Sequence, residues 1–197
     1  MKNLTNFNPA NYGPVFGGLL GRERLNPLGP GIPVSDLREA LGNLTISKTF
    51  THTEIKNRDM AECCLAAIWL HFNYLEESHT ISQGIPTSTG SYWHGIMHRR
   101  EGDFFNSKYW FNRVKRHPIF PRLLAVSKEV NQETGSRPDI DFLTKLTEWD
   151  PFKYMDFCEA CLSGRSPHED LAQQIQQYEW ELLFDYCYRN AVEFSIQ

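Results

Sequence analysis

The sequence predicts an all-α fold, an irregular bundle of about seven or eight helices. Apolar residues recur at three- and four-residue spacing from Ser35 to the end of the chain, and helix-capping residues precede these periodic segments. β alternation is confined to two short stretches, residues 44–47 and 50–53, which would form at most one hairpin. We therefore expect an N-terminal arm of residues 1–34 followed by a single helical domain of residues 35–197.

The composition argues against several classes of protein. Hydrophobic residues make up 41% of the 197 residues and charged residues 22%, as in a globular protein with a large core. A net charge of −4 and the lack of a long basic run argue against a nucleic-acid partner. No apolar run is long enough to cross a membrane, and the first residues do not resemble a secretory signal. We expect a cytoplasmic protein with no membrane partner.

The cysteines predict buried thiols. Cys63, Cys64 and Cys187 stand in periodic apolar segments, and a total of five is unsuited to a paired disulfide framework. Cys158 and Cys161 have the spacing of a redox or zinc pair. No second such pair completes a four-thiolate site, so burial in a helix is the expected state of both.

The N-terminal arm is predicted to be irregular. Residues Gly13 to Pro33 include six glycines and four prolines, a density that breaks helices and strands. Apolar residues are spread through the arm, so it is expected to wrap over the domain or over a partner subunit. Gly17 and Gly18 suggest a phosphate loop only superficially, because no strand precedes them and no Lys-Ser or Lys-Thr pair follows.

Start signals place the first helices of the domain. Ser35 caps a short helix that Gly42 weakens. Asn57 caps a long, core-facing helix that reaches about Ser78. A turn-rich link then leads to a helix over residues 91–101.

The middle of the domain continues in the same way. Gly102 interrupts the preceding helix, and Asp103 can cap the next one, which ends at the break of residues 117–118. Residues 119–133 are again helical, and Pro138 is a first-turn proline that opens a shorter helix.

The last two helices have the clearest start signals. Asp150 caps a helix that Pro151 opens. Ser166 and Glu169 form a capping box at the start of a helix of 27 residues, 167–193. That helix would be about 40 Å long. It is expected either to lie along the whole bundle or to extend into a homodimer contact.

The densest polar cluster of the chain predicts a metal site. His94, His98 and Glu101 would project from one stripe of a helix, and two imidazoles with a carboxylate are a common ligand set for Zn, Fe or Mn. A third protein ligand would come from another helix. His71 is the leading donor because it falls on an apolar face, and His79 lies near the end of the same predicted helix.

Two other interpretations of these histidines stay open. In the first interpretation, the histidines are ordinary core or surface residues, because Gly95 stands where a metalloprotease motif has glutamate. In the second they belong to a metal-free polar pocket that binds a carboxylate or phosphate. The candidate ligand-binding residues are then Arg99, Arg100, Asp103, Asn106, Tyr109 and Arg113. The same arginines and acids also suit ordinary ion pairs between helices.

The run of residues 90–103, continued to residue 118, resembles an uncharacterised family of bacterial and fungal proteins. Its core is Trp-His-x-x-x-His-Arg-Arg-Glu-x-Asp, and the resemblance extends upstream through residues 70–72 and 77–80. The resemblance covers about a third of the chain. It implies a site at this motif and no particular reaction.

Two hypotheses of function follow. In the first, the polar pocket binds a small polar or anionic molecule and supports metal-assisted hydrolysis or oxygen chemistry, with Glu101 or Glu77 handling protons. In the second, the protein is a non-catalytic interaction protein. The polar cluster is then a buried ion-pair network, and the N-terminal arm and the last helix form a partner or dimer surface.

Overall fold

A computed structural model describes residues 2–22, 24–134 and 140–192. These residues form eleven α-helices and no strand, which confirms the predicted all-α class. The helices are α1 (Gly13–Leu20), α2 (Arg38–Gly42), α3 (Ile46–Thr49), α4 (Arg58–His71), α5 (Leu75–Ser82), α6 (Ser88–Glu101), α7 (Phe104–Val114), α8 (Phe120–Thr134), α9 (Phe142–Lys145), α10 (Pro151–Leu162) and α11 (Glu169–Ala191). The predicted number was too low, partly because α2, α3 and α9 are very short.

The two stretches of β alternation, residues 44–47 and 50–53, do not form the one hairpin that they allowed. The side chain of Thr45 accepts a hydrogen bond from the backbone N–H of Lys48, which caps α3 instead. The β pairing in the described part of the chain is a single isolated bridge between Ile55 and Val192. Local capping and packing thus override the β-like alternation of this segment.

The prediction that residues 13–33 contain no helix is also wrong. Pro14 stands in the first turn of α1, where its missing N–H costs no helical hydrogen bond. Phe16 is fully buried, with its ring centroid 5.4 Å from Phe50 and 5.3 Å from Phe184. Packing against these rings stabilises α1 despite its glycines.

The long helix predicted from Asn57 to Ser78 is broken into α4 and α5. Asn73 adopts a left-handed conformation with φ of 65°, which a helix cannot continue through. Its amide donates to the carbonyl of Ile32, and its side-chain oxygen accepts from Arg100. The chain therefore changes direction after His71, and α5 packs against α6.

Other predicted boundaries agree with the structure. Gly102 ends α6 in a left-handed conformation with φ of 88°. The carboxylates of Asp103 and Asp150 cap α7 and α10, as expected. The predicted helix opening at Pro138 lies outside the described residues.

Helix α11 has 23 residues and a length of about 35 Å. The capping box predicted at its start is wrong, because α11 begins at Glu169 after His168 and has no side-chain cap bond. Its predicted end, Glu193, lies outside the described residues. The helix contacts α4, α8 and α10, so it lies along the body of the bundle.

Helix α6 is the centre of the fold. Every residue from Thr89 to Arg100 is buried, and α6 contacts α4, α5 and α7. It nevertheless includes two histidines and two arginines, so its polar groups need partners from the surrounding helices.

All five cysteines are buried and free, as expected. In the described part of the chain, no helix has the length and apolar character that crossing a bilayer requires.

Candidate metal centre

Three histidines meet between α5 and α6. His79 comes from α5, and His94 and His98 come from successive turns of α6. One ring nitrogen of each lies within 4.8 Å of the others. His94 and His98 are buried, and His79 is half-buried. The spacing within α6 brings two of these side chains together, and the turn after α4 brings the third.

The closest approach is between the two histidines of α6. Nε2 of His94 and Nε2 of His98 lie 3.0 Å apart. The Nδ1 atom of His98 lies 3.2 Å from a carboxylate oxygen of Glu101. The Nδ1 atom of His94 lies 3.0 Å from Oγ of Ser82. Each ring thus has one nitrogen with an outer partner and one nitrogen facing the other ring.

The outer partners decide where the ring protons lie. A carboxylate only accepts hydrogen bonds, so Nδ1 of His98 carries the proton it donates to Glu101. Oγ of Ser82 lies 3.3 Å from the backbone carbonyl oxygen of His79 and 3.0 Å from Nδ1 of His94, so the hydroxyl can accept from His94 while it donates to that carbonyl. In that arrangement of protons, the Nε2 atoms of the two neutral rings are unprotonated and their lone pairs face each other across 3.0 Å. A shared cation relieves that repulsion.

The electrostatic setting favours neutral imidazoles. Burial, together with the neighbouring His98 and His79, lowers the pKa of His94 to about 3. Burial also lowers the pKa of His98, against the opposing effect of Glu101. Neutral imidazole is the form that binds metal ions. His94 and His98 are therefore in their metal-binding form at neutral pH.

Helix α7 covers one side of the cluster. The indole of Trp110 lies 4.1 Å from the ring of His94, centroid to centroid, and the guanidinium of Arg113 stacks 5.2 Å from the Trp110 ring. Another edge of the cluster lies nearer the solvent, because His79 is half-buried and the carboxylate of Glu101 that contacts His98 is 55% exposed. The cluster is thus shielded by an aromatic wall and accessible at one edge.

Gly95 allows α7 to approach this closely. A Cβ atom at Gly95 would lie 2.7 Å from a ring carbon of Phe111, too close for van der Waals contact. The hydroxyl of Ser107 donates to the carbonyl of Gly95 across 2.8 Å. Gly95, which stands where a metalloprotease motif has glutamate, therefore has a packing role.

Arg99 does not face the histidines. Its guanidinium donates to Glu179 of α11 across 2.5 Å and stacks 4.8 Å from the ring of Tyr154. The second carboxylate oxygen of Glu179 accepts from the hydroxyl of Tyr92 at 2.8 Å. This group is the kind of buried ion-pair network that the second hypothesis expected.

Arg100 joins the N-terminal arm to the bundle. It donates to the backbone carbonyls of Gly29 and Pro30 in the arm and to that of Leu70 in α4. It also donates to the side chain of Asn73 at 2.7 Å. Burial lowers the pKa of its guanidinium to about 9. Four acceptors occupy this guanidinium, so it does not face a ligand pocket.

The other predicted ligand-binding residues are also separate from a pocket. Asp103 caps α7, and its second oxygen accepts from the side chain of Asn106 at 2.6 Å. The backbone N–H of Asn106 lowers the pKa of this carboxyl. Tyr109 is 53% exposed, and Arg113 is exposed beside Trp110. The structure does not bring these residues together around one cavity.

Two predicted residues lie away from the cluster because of the break after α4. His71 is buried against Trp180 of α11, at a centroid distance of 4.6 Å, and does not face α6 as a ligand. Glu77 is on α5 but bonds the guanidinium of Arg38. His79, one turn before Ser82, takes the place that the sequence analysis gave first to His71.

Sequence reasoning missed two residues of the site and its network. Ser82 had no distinguishing pattern, because its role depends on the direction of α5. Glu179 did have one: it is a charged residue between the aromatic residues Tyr178 and Trp180 on a helix face that is otherwise apolar. Such a residue in a buried stripe indicates a buried partner of opposite charge.

Comparison of the chain with protein-family models, curated proteins and solved structures finds no match in any of the three. The resemblance drawn from residues 90–118 stays a prediction.

Proposed function

We propose that the protein binds a divalent transition-metal ion through His79, His94 and His98. The observation that carries this proposal is the pair of Nε2 atoms 3.0 Å apart, each on a ring whose Nδ1 atom has its own hydrogen-bond partner outside the pair. Metal-binding histidines have this arrangement, because the outer acceptor fixes the tautomer and aims the free lone pair at the ion. Without a cation, a buried pair of imidazoles gains nothing from having its free lone pairs aimed at one point.

The distance between the two nitrogens fits the first-row metals. Metal–nitrogen bonds of about 2.0–2.1 Å place two ligand nitrogens about 3.0 Å apart at a right angle and about 3.4 Å apart at a tetrahedral angle. The observed 3.0 Å corresponds to the octahedral angle and is a few tenths of an ångström from the tetrahedral one. Zinc, iron and manganese are therefore all candidates, with zinc first because imidazole suits it well.

The ligand count favours a catalytic ion. No fourth His, Cys, Asp or Glu joins this group in the part of the chain that the structure describes. Structural zinc sites have four protein ligands, whereas catalytic sites have three and a water molecule. A zinc-bound water has a pKa of about 7 and becomes a nucleophile at neutral pH. We infer metal-assisted hydrolysis of a small polar or anionic substrate.

The two acidic residues then have different roles from those first expected. Glu101 is a positioning residue, because its carboxylate contacts His98 and orients that ring. Glu77 bonds Arg38 and supports α5, so we assign it no proton transfer. The open edge beside His79 is where a substrate would reach the ion.

Elemental analysis of the untagged protein, after incubation with each ion and dialysis, tests the proposal. The wild type is expected to retain near-stoichiometric metal, and the His94→Gln/His98→Gln double variant to retain almost none. His117→Gln is the matched control, because His117 is also buried but lies outside the cluster. Equal metal retention in the double variant and the control would contradict the proposal, as would no retention by the wild type.

A further inference from the structure

A second site lies on another side of the molecule. A cavity of about 500 Å³ separates the N-terminal arm from α11, a volume within the range of about 300–1,000 Å³ that small-molecule sites have. Phe7 and Leu25 of the arm, Trp180 of α11 and His71 of α4 line it. No histidine of the candidate metal centre does so, and the two sites are independent.

His71 has an unmet hydrogen bond at this cavity. Its side chain is 4% exposed, and Nδ1 has no hydrogen-bond partner among the residues that the structure describes. Burial, together with the nearby Arg24 and Arg100, lowers the pKa of His71 to about 3, so the ring is neutral. An unpaired buried polar atom is costly. A ligand that offers this atom a hydrogen bond would remove the cost.

The charges around the cavity favour an anion. Its charged lining residues are Lys2, Arg22, Arg24 and Glu181. The carboxylate of Glu181 accepts from the hydroxyl of Thr5 and from the amide of Gln177, at 2.5 and 3.0 Å. Arg24 donates through Nε to Asn26 and has no carboxylate partner among the described residues. Its terminal N–H groups therefore suit a carboxylate oxygen.

Much of the remaining lining is apolar, and it includes Phe7, Leu20, Leu25 and Trp180. The ring of Phe7 lies 5.8 Å from that of Trp180, and the indole N–H of Trp180 is used by the carbonyl of Ala67. One face of the Trp180 indole stacks on Phe184, and Phe7 and Trp180 form the aromatic part of a cavity that Arg24 also lines. Apolar walls with a few polar groups are typical of sites for organic ligands and suit an inorganic ion poorly.

We propose that this cavity binds a small organic carboxylate with a flat apolar body. Arg24 holds the carboxylate, Phe7 and Trp180 contact the body, and Nδ1 of His71 bonds a polar group of the ligand. The proposal concerns a binding site and does not depend on the metal centre.

The first test uses 2-naphthoate as the probe and the neutral 2-naphthamide as its matched control, with calorimetry on the full chain. Naphthoate is expected to bind, and the amide to bind roughly tenfold or more weakly because it loses a charge-assisted hydrogen bond. In NMR spectra, naphthoate should shift the ring signals of His71. No binding of naphthoate, equal binding of the amide, or equal binding of inorganic phosphate would overturn the proposal.

The second test places the carboxylate. Arg24→Gln is expected to weaken naphthoate binding roughly tenfold or more. Arg24 is only half-buried, so this variant should fold normally. Arg165→Gln is the control, because Arg165 is exposed and does not line the cavity. Equal naphthoate affinity in the two variants would show that Arg24 does not bind the probe and would overturn the assignment.

Discussion

The guanidinium of Arg99 on α6 and the carboxylate of Glu179 on α11 form an ion pair with a separation of 2.5 Å, and neither side chain is more than 1% exposed. The pair joins the central helix to the longest one. Burial raises the pKa of Tyr92, and the negative charge of Glu179 and its hydrogen bond to Tyr92 raise it further. One acidic residue of α11 thus bonds two buried polar side chains of α6, Tyr92 and Arg99.

Removing that acid should destabilise the fold strongly. We expect Glu179→Gln to lower the free energy of unfolding by about 3–5 kcal/mol, because Arg99 would stay buried without an anion. Asp156→Asn is the control, since the Lys108–Asp156 pair is largely exposed and should contribute less than about 1 kcal/mol. Urea unfolding of both variants measures the difference. Similar losses in the two would contradict a dominant role for the buried pair.

Glu101 should control metal affinity without controlling stability. Glu101→Gln is expected to weaken zinc binding about 10–100-fold, because the carboxylate that orients His98 is lost. Competition with a chromophoric chelator gives the affinity. Glu62→Gln removes an exposed acid paired with Arg58 and serves as the control. Unchanged affinity in Glu101→Gln would show that the carboxylate does not act on the site.

The metal-free protein should lose stability in acid, in part through His71. Its folded pKa of about 3 lies below the value of about 6.5 in an unfolded chain. Between pH about 3 and pH about 6.5, His71 binds a proton in the unfolded chain but not in the folded protein. The contribution of the neutral His71 to the free energy of unfolding is therefore fully present above pH about 6.5. It falls by about 1.4 kcal/mol per pH unit as the pH drops below that value.

In His71→Gln, the free energy of unfolding should change less steeply with pH, by about 1.4 kcal/mol per pH unit, because glutamine does not titrate. Chemical denaturation at several pH values between about 4 and 6 measures the slope. The same slope in wild type and variant would show that His71 is not buried as a neutral ring.

Gly95→Ala tests the contact between α6 and α7. The new methyl group would meet the ring of Phe111, and we expect a loss of about 1–3 kcal/mol. Adding Phe111→Leu to the Gly95→Ala variant should restore part of the lost stability. Gly18→Ala is the control in α1, where no atom lies within 4 Å of the added carbon. That change should be neutral or stabilising by up to about 1 kcal/mol.

The local parts of the site were predictable from sequence. His94, His98 and Glu101 share a stripe because helix geometry fixes their spacing, and the capping role of Asp103 follows from residue type alone. Such features depend on neighbours within one or two helical turns along the chain. Apolar periodicity and capping residues are local sequence patterns, so they predict features of this kind.

The third histidine was not predictable in the same way. His71 does fall on a buried helix face, but Asn73 reverses the chain and leaves His71 facing α11. That left-handed residue is held by bonds to Ile32 and Arg100, both distant in sequence. The helix α1 in the arm likewise depends on distant aromatic partners. Contacts of this kind leave no local pattern in the sequence.

The most direct test of the metal centre is an anomalous-difference map from crystals grown with zinc. The proposal predicts one strong peak between α5 and α6, at about 2.0–2.1 Å from Nε2 of His94 and Nε2 of His98, with His79 as the third protein ligand. A peak elsewhere, or no peak with the two Nε2 atoms still in direct contact, would contradict it.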